Sequence, residues 1–341
     1  MCSAMTNHPN PYVFHYGTDE ARIRARRGEL VTVFTEDCFS GSLISVHDKP
    51  RELAPYPYIN PLTGPIAVEG VRTGDITAIH LASVEPARRW GVSTVSPNFG
   101  ALSGTRNNPN LQQEQEEKVW IWRVDSTAGT VVTTTETGHT LQAPLRPFYG
   151  SIGVKPPHGE IRSSLVSDAF GGNLDVADLR AGSTLYLRAN VDEAMVYIGD
   201  GHYSQGDGEL SGTAIEGALN TDLIFDSLTG DDILWPRLQT DTEIAVIGSA
   251  RPLEDAARIA SHALVCWISQ MCKLQLPDAH QLVSQNCRMR IGNLVNPLYT
   301  VAAFIETARL PGDPTVFEGA HHHLRTLAKS PQTITRTLNR T

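Results

Sequence analysis

The sequence predicts a mainly β protein, with a β-sandwich or jelly-roll-like core followed by a smaller α+β region at the C-terminal end. Three observations carry this. The first two thirds are rich in β-branched residues, glycine and proline, with apolar runs of strand length set between turn signals. Those runs have no helical periodicity between them, which points to a sandwich or barrel. Beyond residue 250 apolar residues recur every three and four positions, the spacing of one helix face.

Taken in order, Leu30 to Thr35, Ile76 to Val84, Val119 to Val124, Gly129 to Thr135, Thr184 to Val191 and Ala194 to Ile198 read as strands. Pro61-Leu62-Thr63-Gly64, Arg72-Thr73-Gly74-Asp75 and Arg180-Ala181-Gly182-Ser183 are turn signals between them. The segment from Asn107 to Glu117 is rich in Asn, Gln and Glu and reads as a mobile loop. Leu253, Ala257, Ala260, Leu264, Trp267 and Met271 fall on one face of a helix. Pro252 suits its first turn, and Glu254 and Asp255 favour its N-terminus through the helix dipole. A second short helix is expected from Asp278 as N-cap toward Cys287. The expected organisation is a catalytic core over 1–250, an α+β region packed on it over 251–329, and a polar tail over 330–341, disordered or an oligomer arm. His321, His322 and His323 precede that tail. Three consecutive histidines cannot all face one metal on a regular element, so a solvated surface is expected there.

Composition excludes some functions. The 341 residues include 40% hydrophobic side chains, enough for a sizeable core, and carry a formal charge of -9. That balance argues against nucleic acid, because phosphate binding needs a cationic surface. No stretch approaches the ~20 apolar residues that span a bilayer, and the N-terminus has no apolar signal core. A cytoplasmic protein without a membrane partner is expected. The five cysteines are odd in number and show no CxxC spacing, so neither a disulfide framework nor a zinc ribbon is indicated.

The densest chemistry lies in Gly199-Asp200-Gly201-His202-Tyr203-Ser204-Gln205-Gly206-Asp207-Gly208-Glu209, which reads as a polar, glycine-rich loop at an active-site rim. Carboxylate and imidazole side chains are the usual zinc ligands and proton carriers. Three other segments combine a strand, a glycine and a polar side chain: Thr35 to Gly41 with Asp37, Gly64 to Gly70 with Glu69, and Phe170 to Asp175. Taken singly, Asp37 reads as a turn cap, and Glu69 equally as a surface residue. Asp175 reads as part of a β-turn, a metal ligand or an orienting group. Neither a phosphate-binding glycine loop nor a GxSxG elbow is present. Cys38 is open to two readings, a thiol nucleophile or a small apolar side chain at a strand end.

The segments TEDCFSG, GPIAVEGVRTGDITAIHL, RPFYGSIGVKP, GGNLDVADLRAGSTLYL, GDGHYSQGDGELSGTAIE and RIGNLVNPLYTVAA run from about Val31 to Ala303. Together they resemble the acetamidase/formamidase family, which includes related γ-lactam hydrolases. The resemblance implies hydrolysis of a non-peptide C–N bond in a small amide or γ-lactam, zinc with a second divalent ion such as calcium, and a homo-oligomer. The matching positions are Asp37, Glu69, Asp175, Asp200, His202, Asp207 and Glu209. On this reading Asp37, Asp175 and His202, with Asp200, hold the metal. Glu69, Glu209, Asp207 and Gln205 serve catalysis, with Glu209 or Glu69 protonating the departing nitrogen. The metal, or the backbone N–H groups of Gly171 and Gly172, would stabilise the oxyanion. Family members commonly carry a histidine where this chain has Phe170. The alternatives are an amidase driven by Cys38 or a carboxylate with only structural metal, and a non-catalytic homologue that binds a small molecule.

Overall fold

The computed structural model describes residues 12–18, 20–102, 116–230, 233–330 and 335–337. Two large sheets form its core, one of eleven strands and one of nine. The alternation of side chains along a strand explains the layering. In the nine-stranded sheet Ile79, Leu81, Leu185, Leu187, Leu223 and Phe225 point toward the other sheet and join Ile152 and Ile198 from it. Their sequence neighbours Ile76, Ala78, Tyr186 and Ile224 face the opposite way, onto Ala260, Leu264, Trp267 and Ile268 of a helix. These strands are covered on both faces, so they read as continuous apolar runs rather than clean alternations. Sheet, sheet and helices stack as three layers.

Five of the expected strands lie close to their predicted bounds, as Leu30–Thr35, Ile76–Pro86, Lys118–Asp125, Thr130–Thr134 and Thr184–Arg188. The sixth is where sequence and structure part. It runs over Val196–Ser204, all nine residues buried, so Gly199 to Ser204 is a core strand and not a loop. The first helix occupies Leu253–Cys272, with Pro252 as its N-cap. The second begins before the expected Asp278 cap, at Leu276, because Pro277 fits a first turn.

The region after residue 250 contributes a strand to the core sheet as well as helices packed on it. Its strand Tyr299–Glu306 pairs along its whole length with Glu243–Ala250, so residues on both sides of the expected boundary share one sheet. Within the polar tail, Thr335–Thr337 forms a strand parallel to Leu30–Thr35. Most of the segment expected as a loop, Asn107 to Glu117, lies outside the described residues.

His321 also departs from expectation. It is fully buried, whereas His322 and His323 are exposed. The helix Ala320–Ala328 docks through it: Thr184 Oγ1 lies 2.8 Å from His321 Nδ1 and 2.9 Å from His80 Nδ1. Burial, with His321 beside it, lowers the His80 pKa to about 4. Burial lowers His321 too, against the pull of Asp241. A histidine depressed in the folded state gives stability that is present above its unfolded pKa and is lost as pH falls through the folded one. Stability is therefore expected to drop by ~3 kcal/mol between pH 6.5 and 4 through His80 alone. Denaturant midpoints across that range should show a shallower fall in His80→Gln; an equal fall in both proteins would exclude this origin.

Candidate active site

Five ionisable side chains meet where the eleven-stranded sheet opens. Strand Val196–Ser204 carries Asp200 and His202, two residues apart and both buried. Strand Phe148–Val154 runs beside it, with Tyr149 opposite Gly201 and Ser151 opposite Gly199. Gly150 lies between those pairs and accepts the backbone N–H groups of Leu174 and Asp175. This brings Asp175, just past the Gly171–Asn173 strand, against Asp200. On the other side His202 stands opposite Glu216 of the short strand Ile215–Glu216. Glu209 arrives on the intervening loop.

The contacts are close. His202 Nε2 lies 3.4 Å from Asp200 Oδ1, 3.4 Å from Glu216 Oε2 and 4.0 Å from Glu209 Oε1. Asp175 Oδ2 accepts the side-chain amides of Asn293 at 3.0 Å and Asn296 at 2.8 Å. Its other oxygen, Oδ1, is buried without a hydrogen-bond partner, as are both His202 ring nitrogens and Glu216 Oε2. Native interiors satisfy nearly all such atoms, so orphans gathered this closely call for a partner.

Electrostatics agree. Burial, reinforced by Asp200, raises the Asp175 pKa to about 8 despite His202 and the two asparagines. Burial raises Glu209, with Asp175 adding to it, and raises Glu216 against the opposing pull of His202. Burial works against a charged His202, but Glu216 and Asp200 outweigh it and hold the ring well above its usual pKa. Among the described residues Asp200, Glu209 and Glu216 share His202 as ion-pair partner, and a ligand atom of Asp175 lies within 4.8 Å of it. The backbone carries strain at the same place. Asp175, Asp200 and Glu209 have φ of 53°, 58° and 51°, a region non-glycine residues enter at about 1–3 kcal/mol each.

At this site three sets of side chains have ligand atoms within 4.8 Å of one another: Asp175, Asp200 and His202; His202, Glu209 and Glu216; and Cys38, Asp200 and Glu216; a fourth set, Asp241, His321 and His322, lies elsewhere. Gly150 makes the space. A Cβ there would collide with Asp200 Oδ2 and stand 2.7 Å from Asp175 Oδ1 and 2.8 Å from His202 Cε1. Gly150→Ala is therefore expected to cut divalent-cation affinity by at least tenfold with the fold retained, as measured by calorimetric titration. The magnitude is that of displaced ligand support, about 10–100-fold. Unchanged affinity would mean that the carboxylates gather round nothing.

The remaining residues singled out in the sequence fall elsewhere or act differently. Asp37 is buried, yet its oxygens are already taken by the N–H groups of Phe39 and Gly41 and by Arg88 at 3.0 Å. It belongs to none of the three sets, and its own reading as a turn cap fits better. Glu69 ends strand Leu62–Glu69 on the surface, 3.5 Å from Arg26. Asp207 is half exposed and pairs with Arg290. Gln205 donates to the backbone oxygens of Asp175 and Gly292, which steadies the loop. Gly171 and Gly172 lie in a strand paired on both sides, not in an open oxyanion hole. Phe170 packs on Tyr16 in the core. Cys38 is buried beside the cluster; burial, then Glu216 and Asp200, raise its thiol pKa, so a free thiolate nucleophile is disfavoured. Glu216, Asn293 and Asn296 were not picked out in the sequence, although all three lie in the GTAIE and RIGNLVNP runs. Only sheet register and loop packing bring them to the site.

A cavity of about 50 Å³ reaches the cluster, with Asp200, Glu209 and Glu216 on one side and Phe39, Ile59 and Phe99 on another. The model of the acetamidase/formamidase family matches residues 164–231, which hold Asp175, Asp200, His202, Glu209 and Glu216. The solved acetamidase of Yersinia enterocolitica is 36% identical, aligns over 88% of this chain and 90% of its own, and superposes with a TM-score of 0.82. The chain belongs to the acetamidase/formamidase family. The acetamidase of Bacillus halodurans shares the fold at 28% identity, over 88% of this chain and 97% of that one, with a TM-score of 0.79. A Schizosaccharomyces pombe protein named as a formamidase is 51% identical over 41 residues, 12% of this chain and only 10% of that protein's length. The homologues of this family are amidases, acting on C–N bonds other than peptide bonds.

Proposed function

We propose that this chain is a divalent-metal-dependent amidohydrolase that cleaves a small amide, of formamide or acetamide size, or a γ-lactam, to a carboxylate and ammonia or an amine. Family membership supports amide hydrolysis. The single observation behind metal dependence is the buried ring of carboxylates around His202 with its unpartnered oxygens and nitrogens. That donor set fits zinc, which takes imidazole and carboxylate ligands. Asp175, Asp200 and His202 would hold the ion. When bound, it would supply Lewis acidity and a source of hydroxide at neutral pH.

The chain's own residues do the rest. Asn293 and Asn296 fix the Asp175 carboxylate so that Oδ1 turns to the cluster. The cavity, about 50 Å³, suits a small substrate, and Phe39, Ile59 and Phe99 give it apolar walls. Glu209 is a buried acid whose pKa is held well above the usual carboxylate range by burial, then by Asp175, which suits it to deliver a proton to the departing nitrogen. Ammonia release from formamide, acetamide and a γ-lactam should vanish after chelation and return with zinc. Activity that survives thorough metal removal, with no metal by elemental analysis, rules the reading out.

A cytoplasmic location and a homo-oligomeric state belong to the same proposal. No helix among the described residues is long and apolar enough to cross a membrane. Ile44, Val46, Leu53, Tyr56 and Tyr58 are exposed within one short segment, which is consistent with a subunit contact. Sedimentation at a monomer mass would remove that part.

A further inference from the structure

We propose that the cluster has a second cation position, built by the Cys38 thiolate with Asp200 and Glu216. This rests on the metal-dependent reading above and extends it. Cys38 follows Asp37, whose carboxylate is pinned by two backbone N–H groups and by Arg88. That turn sets the thiol in the wall of the cavity, where the side chain is buried. Its Sγ and one oxygen each from Asp200 and Glu216 lie within 4.8 Å of one another. Glu216 spends Oε1 on the Ala214 N–H at 2.8 Å, while Oε2 is buried and has no hydrogen-bond partner. Glu216 itself is only 2% exposed, so water does not substitute for that partner freely.

Charge is the independent argument. Asp175, Asp200, Glu209 and Glu216 bring four carboxylates into a buried space, where the last three share His202 as ion-pair partner. With Glu209 carrying the proton, Asp175, Asp200, Glu216 and the Cys38 thiolate would bring four negative charges, and one divalent ion would offset only two of them. Two divalent ions offset all four. Asp200 belongs to both sets, so one carboxylate would bridge the two positions.

The ligand type selects the ion. Calcium takes oxygen ligands, whereas a thiolate favours zinc-class ions. The second position therefore suits a zinc-class ion and not the calcium that the family resemblance implies. The cysteine binds as its thiolate, so each ion taken up there displaces the thiol proton to solvent, with no change of oxidation state.

Cobalt titration of the metal-free, full-length protein tests this. Two equivalents should be retained, with a near-ultraviolet thiolate-to-cobalt charge-transfer band. Cys38→Ser and Cys38→Ala should each lose that band and one equivalent, while circular dichroism reports an intact fold. A wild-type protein that retains cobalt with no near-ultraviolet band overturns the proposal without needing either variant, and leaves a single oxygen-and-imidazole site standing. A band that persists in Cys38→Ser belongs to another cysteine and overturns it as well. Failure to retain any cobalt overturns the metal-dependent reading itself, and this proposal with it.

Discussion

Loading the metal-free protein with zinc is expected to stabilise it by about 4 kcal/mol at a thousandfold excess over the dissociation constant. A low dissociation constant is expected because the apo cluster is poorly compensated: four buried carboxylates gather round one imidazole. The pH dependence follows from the same groups. The folded pKa of Asp175, about 8, lies above its ordinary value of 3.8. A group raised in the folded state contributes stability that is fully present below the unfolded pKa and is lost as pH rises through the folded one. The metal-free protein should therefore weaken between pH 4 and pH 8, in the opposite sense to the His80 effect at the acid end of that range. Zinc should help most near pH 8, where protons no longer compete for the oxygens. Glu216→Gln removes one buried charge, so it should raise the stability of the metal-free form and shrink the response to zinc. Scanning calorimetry at pH 5 and pH 8, with and without zinc, reads all of this. A pH-independent midpoint that zinc leaves in place would show that no cation belongs here.

Glu209→Gln is expected to lower kcat by about 10²–10⁴-fold, the usual contribution of a positioned proton donor. Glutamine keeps the size of the side chain and its hydrogen-bonding reach but has no proton to give. Glu209 alone of the proposed proton donors is both buried and within 4.0 Å of His202. Glu69 and Asp207 sit on the surface with arginine partners, and Glu69→Gln and Asp207→Asn should leave kcat within about twofold, as surface substitutions do. Steady-state assays on acetamide with all three variants separate the roles. A Glu209→Gln enzyme within tenfold of the parent would move the proton to another residue, with Glu216 next in line.

Much of the fold was legible in the chain because apolar β-branched runs between turn residues have few other uses. The strand Val196–Ser204 was harder to read for a physical reason. Asp200 and His202 are costly to bury, so a run holding both between glycines reads as solvent-facing. The protein buries them where they face each other, 3.4 Å apart, inside the cluster. Asp37 misleads in the opposite way. It stands in a segment typical of the family, but Arg88, 51 residues away, takes up the carboxylate. Glu216 was hidden because its place opposite His202 depends on a sheet register across an intervening loop. The asparagines at 293 and 296 are more remote still, since they reach Asp175 over separations of 118 and 121 residues.

The pairing of Glu243–Ala250 with Tyr299–Glu306 has a consequence for synthesis. When Ala250 leaves the ribosome, its sheet ends in an open row of amides and carbonyls, the kind of edge that recruits stray chains. More than fifty further residues must be translated before the neighbour that closes it exists. At about 5–20 residues per second that is a wait of several seconds. A chain cut after Ala250 would never leave that state, and would collect as aggregate rather than accumulate as a smaller working enzyme.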